Sequence, residues 1–105
     1  MMTPRQQVAT LKRIVNQDAE IRGMLCDAEG RMCALGGLGH AVGFSKRWLQ
    51  RVRNYAKLWR RVCKRFPILR GVGTSDIHER NDRYDNLTKR RTALCRFFEG
   101  LVKED

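Results

Sequence analysis

The sequence predicts a mainly α-helical domain, a compact bundle of four to five helices with room for one small β-hairpin. Three observations lead there. Apolar residues recur at three- and four-residue steps along much of the chain, the period of a helix with one buried face. Capping and stop signals bracket those stretches. The chain has 105 residues, enough for one small core, so residues 1–105 are expected to form a single domain.

Taken in order, Thr3-Pro4-Arg5-Gln6 opens the first helix. Thr3 can cap, Pro4 suits the first helical position and Gln6 completes a capping box. Val8, Leu11, Ile14 and Val15 follow at helical spacing, taking the helix to about Gln17. Ile21 to Leu35 reads as two short apolar pieces around Asp27-Ala28-Glu29-Gly30, which favours a small hairpin over a helical path broken at Gly30. From Ala34 a short helix should run to Val42, stop at Gly43 and give way to a new helix capped by Ser45. Pro67 should end that helix, and Ile68 to Ser75, with two glycines, reads as a flexible connection. Asp76 to Asp85 reads as an acidic polar turn, with Thr88 capping a last helix whose apolar face is Leu94, Phe97, Phe98 and Leu101.

Ser45 to Phe66 carries most of the functional signal. It holds nine Lys and Arg residues and no Asp or Glu. Trp48, Val52, Tyr55, Trp59, Val62 and Phe66 follow one another at steps of four and three, predicting one continuous amphipathic helix over 45–66. Lys46, Arg53, Lys57, Arg60, Arg61 and Lys64 fall opposite that aromatic stripe. Each like-charge i,i+4 pair on such a face opposes the helix by about 0.2–0.5 kcal/mol, and no acidic residue offsets them. A solvated surface face usually mixes signs, so the pattern points to an anionic partner.

The whole chain carries a formal charge of +11. Residues 30 to 75 contain eleven basic residues and no acidic one, so the excess lies there. A field concentrated in this way suits nucleic acid, an anionic membrane surface or an acidic protein. The polar start, MMTPRQQV, shows no signal-peptide pattern, and no apolar run approaches the roughly 20 residues of a membrane span. With four cysteines lacking close pair spacing, a cytoplasmic protein with free thiols is expected.

The phrase Leu35 to Val52 resembles the helix-turn-helix of bacterial and phage repressors. Gly43, Phe44 and Ser45 match the turn; Leu38 and Val42 match buried positions of its first helix, and Leu49 and Val52 those of the second. Gly39 departs from the pattern, standing where alanine is usual. The resemblance implies that the second helix enters a DNA groove, with Ser45, Lys46, Arg47, Gln50 and Arg51 facing DNA. A second likeness covers Gly30-Arg31-Met32-Cys33-Ala34-Leu35-Gly36-Gly37-Leu38 and the later Asn81-Asp82, which is similar to small phage and actinobacterial proteins. It implies a phage or mobile-element origin and transfers no activity.

Sharper chemistry finds less support. Cys26, Cys33 and His40, with Cys63, His78 and Cys95, lack the close pairs usual in structural zinc sites. Gly37-Leu38-Gly39-His40-Ala41-Val42-Gly43 imitates a dinucleotide-binding phrase without a strand before it or an acidic residue soon after it. Its glycines fit close helix approach and a turn. Asp76, His78, Glu79, Asp82 and Asp85 have metal-nuclease ligand types, but pairing of these carboxylates with arginines of the basic helix is the simpler expectation. The sequence therefore points to a nucleic-acid-binding protein, DNA before RNA, with no enzymatic activity, cofactor or metal. Ser45, Lys46, Arg47, Gln50, Arg51, Arg53, Lys57, Arg60, Arg61 and Lys64 are the expected contacts. The main rival is a phage- or mobile-element-encoded inhibitor that docks the same face on an acidic host protein in the host cytoplasm. A membrane-surface helix is weaker, because so short a chain needs its aromatic stripe for a core.

Overall fold

The computed structural model describes residues 2–102. They form six α-helices, α1 (Pro4–Gln17), α2 (Ala34–Ala41), α3 (Lys46–Arg51), α4 (Ala56–Arg65), α5 (Thr74–Arg83) and α6 (Leu87–Glu99), with one 3₁₀ turn at Pro67–Leu69. The helix count exceeds the expected four to five because the basic stretch splits into α3 and α4 and because Asp76 to Asp85 is largely helical.

The hub is α2, which packs against α1, α3, α4 and α5. Its sequence, ALGGLGHA, suits that place: Ala34 to Gly39 are all buried, and its glycines let neighbours come close. A Cβ on Gly36 would lie 2.0 Å from the Leu25 carbonyl oxygen, and one on Gly37 would meet the Asp18 carboxylate at 2.6 Å. One on Gly39 would meet Leu58 of α4 at 2.6 Å and Leu49 of α3 at 3.1 Å. Side-chain-free positions on α2 are thus where three other segments are seated.

The N-terminal helix begins as its capping box predicts. The Thr3 amide donates to Gln6 Oε1 at 2.8 Å, and the Gln6 amide donates to Thr3 Oγ1 at 3.2 Å. Its buried face is Gln7, Val8, Leu11, Ile14 and Val15, packed on α2 and α6. Two arginines of α6 satisfy the carbonyls at its far end. Arg91 donates to the Asp18 carbonyl at 2.8 Å, and Arg90, only 4% exposed, donates to that of Ala19 at 2.6 Å. The N-cap of α6 is Asn86 rather than Thr88, its side chain accepting from the Lys89 amide at 3.0 Å.

Between α1 and α2, the expected hairpin is reduced to a single antiparallel bridge, Cys26 to Met32. The tip is closed by the Asp27 amide donating to the Arg31 carbonyl at 2.9 Å and by the Asp27 side chain, whose Oδ1 accepts from the amides of Glu29 and Arg31 at 3.0 and 2.8 Å. Asn81 of α5 clamps this loop to the hub. Its Oδ1 accepts from the Ala34 amide at 2.9 Å, and its Nδ2 donates to the Ile21 carbonyl at 3.0 Å. The Gly30 to Leu38 phrase and the distant Asn81-Asp82 phrase therefore meet in one hydrogen-bond network.

Candidate nucleic-acid interface

The predicted single helix over 45–66 is broken at residues 52–55. Val52 is extended, and the Asn54 side chain accepts from the Ala56 amide at 2.9 Å to start a new helix. The reason lies in the hub. Leu49 and Leu58 both seat on Gly39. In an unbroken helix residues nine apart point in opposite directions, at about 100° per residue. Only a break lets both reach one glycine.

Breaking the helix also shifts the buried stripe. Leu49, Leu58, Val62 and Phe66 are buried, whereas Trp48, Val52, Tyr55 and Trp59 are half-buried on the flank of the core. Trp59 is anchored at its edge, its indole N–H donating to the Val72 carbonyl at 3.0 Å. Arg53 no longer faces Lys57 along one helix, leaving Lys57–Arg61, Arg60–Lys64 and Arg61–Arg65 as the like-charge i,i+4 pairs of α4.

The turn from α2 into α3 is built locally. Gly43 has φ +107°, a conformation that side chains disfavour. His40 Nδ1 donates to the Phe44 carbonyl at 3.0 Å, and Ser45 Oγ accepts from the Trp48 amide at 3.1 Å. Among the ten predicted contact residues, Ser45 is thus the α3 cap. Gln50 is likewise occupied, its Nε2 donating to the Asp27 carbonyl at 2.7 Å. Lys46, Arg47 and Arg51 on α3, Arg53 in the break, and Lys57, Arg60, Arg61 and Lys64 on α4 are all exposed. Both helices pack on α2, but the break between them means that these eight side chains do not share a single helix face.

Among the described residues, no carboxylate forms a salt bridge with any of the nine cations from Lys46 to Arg65. The acidic residues of α5 and its flanks are used elsewhere, which corrects their expected pairing with this stretch. Asp76 accepts from the Gly73 amide at 2.9 Å and faces Arg80; Asp82 accepts from the Gly23 amide at 3.3 Å; Asp85 pairs with Arg22. Among the described residues, no three His, Cys, Asp or Glu side chains converge as a metal site would require. The four thiols are free; Cys33 is the α2 N-cap, its Sγ accepting from the Gly36 amide at 3.4 Å.

Three participants escaped the sequence. Phe44 stacks on Trp48 with ring centres 4.2 Å apart and planes at 21°, and the Arg61 guanidinium carbon sits 4.3 Å from the Phe44 ring centre. Two groups so close to one ring centre must occupy its opposite faces, giving an Arg61–Phe44–Trp48 stack that joins α4 to α3. Arg65, absent from the predicted contacts, lines an open groove of about 500 Å³ with Arg61, Lys64 and the Ala41–Val42–Gly43 segment. No local pattern announces a contact between Phe44 and Arg61, because it depends on the break between them. No helix of the described residues is long and apolar enough to cross a membrane. Comparison of the chain with protein families, curated proteins and solved structures gave no match.

Proposed function

We propose that this protein binds nucleic acid, DNA in preference to RNA, and catalyses no reaction. One observation carries the reading: nine exposed Lys and Arg side chains between Lys46 and Arg65, without a carboxylate partner among the described residues. Unpaired cations crowded at i,i+3 and i,i+4 repel one another, and a polyanion removes that repulsion while releasing its own counterions. Arg53, Lys57, Arg60, Arg61 and Lys64 supply phosphate contacts. Following the helix-turn-helix resemblance, Lys46, Arg47 and Arg51 supply contacts to base edges, with Ser45 and Gln50 fixing the helix that presents them. The site of action is the cytoplasm, that of the host if the gene belongs to a phage or mobile element.

A gel-shift salt titration tests this. With about six cations on phosphates, log affinity should fall against log salt with a slope near −5. Reversing the charge of Lys57 or Arg60 should weaken all DNA sequences alike and make that slope shallower, whereas altering Arg47 should change which sequences bind. A second reading is favoured by the half-exposed Trp48, Tyr55 and Trp59 among the cations: an inhibitor seated on an acidic host protein, since aromatic and arginine residues dominate protein hot spots. No binding to any nucleic acid at roughly 50–100 mM salt, where phosphate contacts hold, selects that second reading.

A further inference from the structure

Resting on the nucleic-acid reading, we infer that the groove between the α2 carboxyl end and α4 is a stacking site for an unpaired base, held against Arg61. Four observations converge on it. The Arg61 guanidinium is placed by the Phe44 ring, which is itself backed by Trp48, so this cation is preorganised as a plate rather than left as a mobile point charge. Arg61 remains exposed and borders the groove, whose volume of about 500 Å³ suits a small planar group. The opposite wall is Ala41, Val42 and Gly43, and Gly43 lies beside the guanidinium, an ideal Cβ on it falling 3.8 Å from the Arg61 Nη1.

The fourth is electrostatic and decides where each part of a nucleotide goes. The wall formed by Ala41 and Val42 is the carboxyl end of α2, where the helix dipole disfavours an anion and favours hydrogen-bond donors such as the exocyclic amines of bases. Lys64 and Arg65 stand on the other rim. A phosphate is therefore attracted to the rim and a neutral base to the wall. Bases within a duplex are stacked and cannot enter, whereas a single strand offers its faces to aromatic and guanidinium planes.

The test compares three probes of equal length at fixed salt: a single-stranded DNA, its duplex, and a deoxyribose-phosphate oligomer without bases. The wild type should bind the single strand roughly five- to a hundredfold more tightly than the base-free oligomer, the range expected for one stacked base. Arg61→Lys keeps the charge and removes the plate. It should lose most of that preference, the single strand weakening by a larger factor than the base-free oligomer. Leu58 and Val62 still bury α4, and a thermal melt confirms that the variant is folded. Equal wild-type affinity for the single strand and the base-free oligomer overturns the inference, leaving nucleic-acid binding through phosphates intact. So does an equal weakening of both by Arg61→Lys. Failure to bind any of the three probes overturns the parent reading as well.

Discussion

Gly36 shows how strongly a single residue can be constrained here. The methyl group of an alanine at that position would lie 2.0 Å from a backbone oxygen, that of Leu25, and backbone cannot step aside as a side-chain end can. Gly36→Ala should therefore destabilise by ~3 kcal/mol or more, read from a urea titration, at or beyond the usual upper range for overpacking. Gly39→Ala meets the side chains of Leu58 and Leu49 and no backbone among its nearest atoms, so its cost should be smaller. Cys33 carries a pH dependence. Burial pushes its thiol from the ordinary 9.0 up to about 11, so the unfolded chain loses this proton before the folded one. The folded state then holds more protons, and its stability falls as pH rises from 9 towards 11. The loss from this group alone is of order 2 kcal/mol by the upper end of that window, at about 1.4 kcal/mol per pH unit. Cys33→Ser keeps an N-capping atom and removes the titration, so its stability should fall less steeply between pH 9 and 11 than that of the wild type. Parallel curves for the two proteins would show that the thiol is not the group responsible.

Among the elements, the break between α3 and α4 is the decisive one, and its cause sets a second expectation. Asn54 precedes the Tyr55 cap position and its side chain accepts the first amide of the new helix, so Asn54→Ala should cost ~1 kcal/mol, the scale of a lost side-chain bond to a first-turn amide. It should not fuse the helices, because Leu49 and Leu58 would still both need Gly39. A gain of helical circular dichroism in that variant would show that the break rests on Asn54 and not on the hub. What was legible in the sequence divides along the same line. The capping box at Thr3, the Gly43 stop and the Ser45 cap each act within a few residues of chain, and each is visible as a local pattern. The apolar steps from Trp48 to Phe66 continue through the break without interruption. Local opposition is small, a few tenths of a kcal/mol (~0.2–0.5) for each like-charge pair; the larger opposition comes from a glycine on α2, and distant contacts of that kind leave no periodic trace. The hairpin is cut short for a related reason, since the side chain of Asp27 takes the Arg31 amide that the facing backbone would otherwise have bonded. In the candidate interface, exposure of the cations was legible from composition and spacing. The engagement of Gln50 by the Asp27 carbonyl and the stacking of Arg61 on Phe44 were not, because both join segments far apart in sequence.

On the scale of the whole molecule, the charge distribution couples stability to binding. A formal charge of +11 on 105 residues, with the excess between residues 30 and 75, makes the folded state repel itself on one side. The screening length shrinks from about 30 Å at 0.01 M salt to about 10 Å at 0.1 M, so the melting temperature of the free protein should rise over that range. On the proposed reading a polyanion should raise it further, and most at low salt, since a ligand that favours the native arrangement of cations over the unfolded chain stabilises the fold. At a hundredfold excess over the dissociation constant the gain is about 2.7 kcal/mol, or roughly 10 °C and more for a domain of this size. The double change Arg60→Glu with Lys64→Glu separates repulsion from structure. Both side chains are exposed and lack carboxylate partners among the described residues, and the substitution introduces opposite charges beside Lys57 and Arg61. This variant should melt higher than the wild type at 0.01 M salt, respond less to added salt, and lose most of its stabilisation by polyanion. If it instead melts lower at low salt, the cations of α4 contribute to holding the fold together, and their lack of carboxylate partners cannot be the reason they attract an anionic ligand.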